Sequence, residues 1–147
     1  MKIFVSILII LFFYTLTSCK KFPDLGEGYK LTYNSRGDIG IVNSSNSYVI
    51  YGHILDYSFN ANFIIAAERP RDSIPECVGV IPNTNLKKCD DAFAKSIFLQ
   101  YWIIDKRYKS IFNEHTKTFS NVYGPFNKEE YLFKKKKLNI PDELKLK

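Results

Sequence analysis

The chain of 147 residues has only two histidines, His53 and His115, and three cysteines, Cys19, Cys77 and Cys89. It contains no Cys-x-x-Cys, no Gly-x-Ser-x-Gly, no His-Glu-x-x-His and no phosphate-binding loop. Zinc sites, serine hydrolases and nucleotide-binding proteins commonly depend on these patterns. The sequence therefore predicts none of these three kinds of site, and it predicts no metal site and no bound cofactor.

Candidate catalytic groups are equally scarce. His53 stands on a predicted strand, where a histidine is more often a packed or edge residue than a catalyst, and His115 in "NEHTKT" is expected to be exposed. The acid pairs Asp90–Asp91 and Glu129–Glu130 are neighbours in sequence, and neighbours do not face each other on a helix or a strand. Their negative charge near a helix N-terminus explains them better than acid–base chemistry does. We expect no catalytic residue and no enzymatic activity.

A long hydrophobic run is also missing. The apolar segment from Ile3 to Tyr14, interrupted only by Ser6, would span about 18 Å as a helix, whereas a bilayer core is roughly 30 Å thick. A short apolar segment behind a single basic residue, here Lys2, is the layout of a secretory signal peptide. The sequence therefore predicts a signal peptide over residues 1–18.

The segment "LTSC", Leu16 to Cys19, resembles the lipobox of bacterial lipoproteins. The resemblance implies a diacylglyceryl group on the Cys19 thiol, cleavage between Ser18 and Cys19, and acylation of the new amine by a chain such as palmitate. A thiolate is the nucleophile that this chemistry needs, and two acyl chains anchor a protein stably. An uncleaved anchor helix, or a plain signal peptide with a coincidental cysteine, is the alternative.

The residues after Cys19 bear on which membrane holds the protein. Lys20 follows directly, in place of the Asp that retains many lipoproteins at the inner membrane, and the first acid is Asp24. We therefore expect an outer-membrane lipoprotein facing the periplasm. Residues 19–28 are predicted to be the lipidated cysteine with a short tether, and residues 29–147 a single globular domain, which is long enough for a core.

Positive charge is in excess, with a formal net charge of +6 that becomes +5 when Lys2 leaves with the signal peptide. Part of the excess lies at Lys134–Lys137. A solvated helix face explains this run most simply, and anionic lipid headgroups are a possible neighbour. Nucleic acid is not expected to be a partner of an exported protein.

Cys77 and Cys89 enclose "CVGVIPNTNLKKC", a segment with no helical period. In an oxidising compartment a disulfide between them would contribute roughly 3 kcal/mol in the chain-entropy model. Two free thiols remain an alternative. A metal site is a third, but it would need more ligands than the neighbouring sequence offers.

Hydrophobic alternation and turn residues predict an α+β fold, an antiparallel β-meander sheet packed by one C-terminal helix. The helix is expected to begin after the N-cap Asn127, with Glu130 completing a capping box, and to end near Leu138 or Asn139. One further helical turn is predicted at 89–96. The main predicted strands are 29–34, 39–43, 48–57, 63–69 and 97–105, with two weaker ones at 110–115 and 118–123.

Four segments of the C-terminal third, "YWIIDK" (101–106), "VYGPF" (122–126), "EEY" (129–131) and "LNIPDELKL" (138–146), resemble an uncharacterised family of small bacterial lipoproteins, a domain of unknown function. "NANFIIAAERP" (60–70) fits the same resemblance. It implies a lipobox and one compact domain, and it brings no known activity.

Three functions are compatible with these observations. The first is a membrane-anchored lipoprotein with a small non-catalytic domain that binds an envelope protein or a small ligand. The second is an inhibitor or immunity lipoprotein directed against a cell-wall hydrolase or a toxin. The third is a hydrolase with an unrecognised site, which would require a pocket that gathers His53 or His115 with a carboxylate.

Overall fold

The structure is a computed structural model that describes residues 22–79 and 86–147. The predicted signal peptide, the cleavage position at Ser18 and the lipid attachment at Cys19 lie outside the described residues. Within the two described ranges, no helix combines the length and the apolar character needed to cross a membrane.

The first sheet is a meander of four antiparallel strands that are neighbours in chain order. Asparagine side chains shape two of its turns: Asn34 Oδ1 accepts from the backbone N–H of Arg36 and Asp38, and Asn43 does the same for two later residues. Its strands are β1 (Asp24–Gly26), β2 (Tyr29–Tyr33), β3 (Ile39–Val42) and β4 (Tyr48–Ile50).

The later strands are β5 (His53–Phe59), β6 (Phe63–Arg69), β7 (Gln100–Asp105), β8 (Phe112–Asn113), β9 (Thr118–Phe119) and β10 (Val122–Phe126). The second sheet has the order β10-β7-β6-β5 and is antiparallel throughout. β8 and β9 pair as a separate two-stranded ribbon.

The helices are α1 (Leu86–Lys95) and α2 (Lys128–Lys137), and a short 3-10 helix covers Pro75–Cys77. α2 begins where the sequence predicts, because Asn127 Oδ1 accepts from Glu130 N at 2.9 Å and Glu130 Oε2 accepts from Asn127 N at 3.0 Å. The capping box is thereby confirmed. Leu138 is the C-cap, and Asn139 follows in the left-handed region at φ 53°.

The two sheets pack face to face, and α2 covers the outer face of the second sheet. Ile64 and Ala66 of β6 point into the core between the sheets, while Phe63 and Ile65 point towards α2 and the C-terminal tail. Both faces of β6 are therefore covered, which explains its continuous apolar run. Leu25 of β1, a strand within the predicted tether, is fully buried in the intersheet core.

Two features of the prediction need correction: residues 22–79 and 86–147 form two main sheets where one was expected, and two α-helices where one was expected. The predicted strand 48–57 is divided, because the chain leaves the first sheet after Ile50 and enters the second at His53. The predicted turn at 89–96 belongs to the ten-residue helix α1, which packs Cys89 and Phe93 against Ile74. These arrangements depend on contacts distant in sequence, which local patterns do not report.

The predicted strand 97–105 is shorter than expected. β7 begins at Gln100, and Ile97 before it is 94% exposed. β7 ends at Asp105, as predicted, and it lies between β10 and β6 in the interior of its sheet.

Candidate functional site

A cleft of about 520 Å³ opens where the ends of the two sheets meet. The turn between β2 and β3 contributes Asp38, and the crossing between the sheets contributes Tyr51 and Gly52. The second sheet contributes Glu68 and Trp102. The volume of the cleft lies within the range of small-molecule sites, roughly 300–1,000 Å³.

Glu68 is the most unusual residue of the cleft, because it is an acid near the end of a buried strand and is only 6% exposed. The alternation of β6 places it on the same face as Ile64 and Ala66, towards the first sheet. Trp102, on the neighbouring strand, donates its indole N–H to Glu68 Oε2 at 2.5 Å. No described residue donates a hydrogen bond to the other oxygen, Oε1.

Gly52 makes room for this carboxyl group. A Cβ at position 52 would overlap the carboxyl group of Glu68, and the backbone of Gly52 is not in the left-handed region. Glycine is therefore favoured at position 52 because a side chain would have no space, and not because of the backbone conformation.

Burial raises the pKa of Glu68, and the negative charge of Asp72 raises it further. The hydrogen bond from Trp102 acts in the opposite direction but does not compensate. The carboxyl group of Glu68 thus keeps its proton to a higher pH than an exposed glutamate does.

Asp38 lies on the opposite wall and is held by two cationic or ionisable partners. Arg71 Nε donates to Asp38 Oδ2 at 3.0 Å, and His53 Nδ1 is 3.0 Å from Asp38 Oδ1. Burial works to raise the pKa of Asp38, but the hydrogen bonds and charges of Arg71 and His53 together hold it below its usual value. Arg71 Nη1 also donates to Asp90 of α1 at 2.9 Å.

A small aromatic and cationic cluster fixes α1 beside this wall. The guanidinium of Arg71 lies 4.0 Å from the centroid of the Phe93 ring, and the His53 ring meets Phe93 edge-on at 5.2 Å. A disulfide joins Cys77 of the 3-10 helix to Cys89 of α1. The disulfide therefore ties α1 to the 3-10 helix on the side of the cleft that carries Arg71.

The described lining of the cleft presents carboxylate, imidazole and aromatic side chains. The lining, as far as the described residues show, includes no serine, threonine or cysteine side chain. His53 Nδ1 lies 3.0 Å from Asp38 Oδ1. The described ranges hold no group of three His, Cys, Asp or Glu residues able to bind a metal ion. The lining does offer Glu68 and an edge-to-face pair of tyrosines, Tyr48 and Tyr51, at 4.9 Å.

The structure brings one of the two histidines together with a carboxylate, since His53 pairs with Asp38 in the cleft. His115 lies in the exposed turn between β8 and β9, outside the lining. The sequence did not indicate Glu68, Asp38 or Arg71 as site residues. One available signal was the acid that follows the apolar run of residues 63–67.

A protein-family model described as "Protein of unknown function (DUF3997)" matches residues 26–147. No curated protein and no solved structure matches the chain.

Proposed function

The chain belongs to DUF3997, a family of unknown function, and we propose that it is a bacterial envelope lipoprotein with a small non-catalytic binding domain. The lipid on Cys19 would anchor it to the outer membrane on the periplasmic side. The cleft beside Glu68 would be the binding site.

One observation carries the binding proposal: a nearly buried carboxyl group lines the cleft, with an indole N–H as its one hydrogen-bond donor among the described residues. Removing such a group from water costs free energy. Proteins tolerate this cost mostly where the group has a task, because an apolar residue would give a more stable core.

The absence of catalysis is proposed from the chemistry of the lining. Catalysis by a serine, threonine or cysteine nucleophile would need that hydroxyl or thiol beside a base, and the described lining offers none of these three residue types. Asp38 cannot act as a free base while Arg71 and His53 occupy both of its oxygens.

The anchor is proposed from the lipobox-like segment at residues 16–19 and the short apolar run before it. The family match begins at residue 26, close behind the proposed lipid site. A domain so close to its anchor would remain near the bilayer surface.

The anchor is tested by the intact mass of the protein extracted from membranes. We expect the mass of residues 19–147 plus a diacylglyceryl and an acyl group. A mass that retains residues 1–18, or carries no acyl addition, would refute the anchor and leave the cleft untouched.

The binding site is tested by photocrosslinking in cells, with benzoylphenylalanine replacing Tyr51 at the cleft or, as a matched control, Tyr108. The two tyrosines are 57% and 62% exposed, and Tyr108 does not line the cleft. We expect a discrete adduct from position 51 and none from position 108. Equal labelling from both positions, or none from either, would contradict a binding cleft.

A further inference from the structure

We propose that the cleft binds the ammonium group of an organic amine, which provides the cationic partner that no described residue provides for Glu68. The inference rests on the proposed binding function and names the chemical class of its ligand.

The buried acids of the described residues differ in their partners. The described residues include three acids below a tenth exposed, namely Asp38, Glu68 and Asp105. Arg71 pairs with Asp38, and Arg107 pairs with Asp105 at 2.7 Å. Glu68 alone among these three has no cationic partner, only the neutral indole of Trp102. Buried charges in proteins are normally paired, and no described residue supplies the pair for Glu68, so we expect a bound ligand to supply it.

The basic side chains of the lining do not serve this purpose. Arg71 is divided between Asp38 and Asp90. Lys117 is well exposed, and its Nζ lies 2.9 Å from Glu114 Oε2. Arg36 is exposed in the turn between β2 and β3. None of them donates a hydrogen bond to Glu68 in the structure.

The surroundings of Glu68 suit an ammonium group better than a metal ion or an anion. Trp102, Tyr48 and Tyr51 line the same cleft, and aromatic rings attract organic cations. A second carboxylate, Asp72, lies close enough to raise the pKa of Glu68 by its charge, so it would also attract a cation. A hard metal ion would need six or more oxygen ligands or several fixed waters. The charges of Glu68 and Asp72 oppose an anion at Glu68 itself, although Arg36, Arg71 and Lys117 also line the cleft.

The experiment uses the fact that Trp102 is the only tryptophan of the chain. The mature protein therefore has one indole N–H signal in a ¹H–¹⁵N spectrum, and that group is bonded to Glu68. The signal is followed during titration with n-butylammonium and, in parallel, with 1-butanol, which has the same alkyl chain without a charge.

We expect a saturable shift with n-butylammonium and at least tenfold weaker binding of 1-butanol. Glu68→Gln should weaken amine binding by roughly 30-fold or more, as expected for loss of one partner of a buried charge pair. Glu143→Gln, which removes an exposed acid outside the cleft, should leave the affinity unchanged. If Glu68→Gln does not fold, Asp72→Asn replaces it, with an expected loss of about threefold from the weaker field.

Equal binding of 1-butanol would overturn the proposal, and so would an affinity for n-butylammonium that neither Glu68→Gln nor Asp72→Asn lowers. A Glu68-dependent shift caused by N-acetylglucosamine or acetate but not by the amine would also overturn it. If the amine proposal fails, a discrete adduct from benzoylphenylalanine at position 51 in cells would still support the broader binding function. Failure of the amine proposal can therefore be told apart from failure of the binding function.

Discussion

At the scale of single residues, the pair Glu68 and Gly52 defines the site. The carboxyl group of Glu68 occupies the space that a side chain at position 52 would fill, and Trp102 fixes its orientation through Oε2. The position of the acid therefore depends on a missing side chain on one side and an indole on the other. Each of these two contacts can be tested by substitution.

Glu68→Gln is expected to stabilise the protein at neutral pH. The pKa of Glu68 is raised by burial, so the unfolded chain loses its proton first as pH rises and stability falls between the unfolded value, about 4.3, and the higher folded value. Glutamine keeps an oxygen for Trp102 and has no such penalty.

Denaturant titrations of both proteins at several pH values check this expectation. The stability difference should be largest above the folded pKa of Glu68 and should disappear below about pH 4. A variant that is less stable than the wild type at pH 7, with an unchanged pH dependence, would show that Glu68 is not a desolvated acid.

Gly52→Ala is expected to destabilise the protein by about 1–3 kcal/mol, because the new methyl group collides with the carboxyl group of Glu68. Adding Glu68→Ala removes that collision. The double variant should therefore lose clearly less stability than the two single losses predict, with a coupling of about 0.5–3 kcal/mol. Additive losses in a double-mutant cycle would mean that the two positions do not share space.

At the scale of elements, the cleft is assembled from pieces distant in sequence. The turn after β2, the crossing between β4 and β5, the end of β6 and the middle of β7 each contribute one part of the lining. Two kinds of contact hold α1 beside the cleft: the disulfide from Cys89 to Cys77, and the packing of the Phe93 ring against the guanidinium of Arg71.

Replacing both Cys77 and Cys89 by alanine is expected to cost about 3 kcal/mol of unfolding free energy, since the disulfide closes a loop with a sequence separation of 12. Denaturant unfolding with and without dithiothreitol measures this. The reductant should destabilise the wild type by a similar amount and have no effect on the variant. If the reductant destabilises both proteins equally, the disulfide is not the source of the difference.

Local patterns predicted the elements that local physics determines. The bounds of β6 agree with the prediction residue for residue, because its apolar run is strong and "SFNAN" ends the preceding strand. The start of α2 is correct because the capping box at Asn127 is a contact over three residues. The prediction missed the division of 48–57 into β4 and β5. The intervening Gly52 leaves room for the carboxyl group of Glu68, which is sixteen positions away, and a local pattern does not report such a contact.

At the scale of the whole molecule, the two packed sheets leave a cleft where their ends meet, and α2 covers the outer face of the second sheet. The sequence predicted the α+β class and antiparallel pairing, but it did not predict the cleft. Asp38 carries no local signature, because it is an ordinary acid until tertiary packing buries it. Glu68 stands out only by following an apolar run, and that pattern does not show which residues surround it.

The proposed cellular role combines this cleft with an anchor at Cys19. In the structure the chain is packed onto the domain from Phe22 onward, with the Phe22 ring 4.8 Å from that of Tyr33. The proposed lipid and the folded domain would thus be separated by very few residues. Such a protein would present its cleft to partners or ligands close to the membrane surface.

Glu68 is a buried acid with no cationic partner among the described residues, and one pH titration tests this directly. The indole N–H signal of Trp102 is followed by NMR from pH 3 to pH 9 in the wild type and in Glu68→Gln. We predict a transition with a midpoint above the ordinary glutamate value of about 4.3, present in the wild type and absent from the variant. A midpoint at or below that value, or the same transition in Glu68→Gln, would contradict the account.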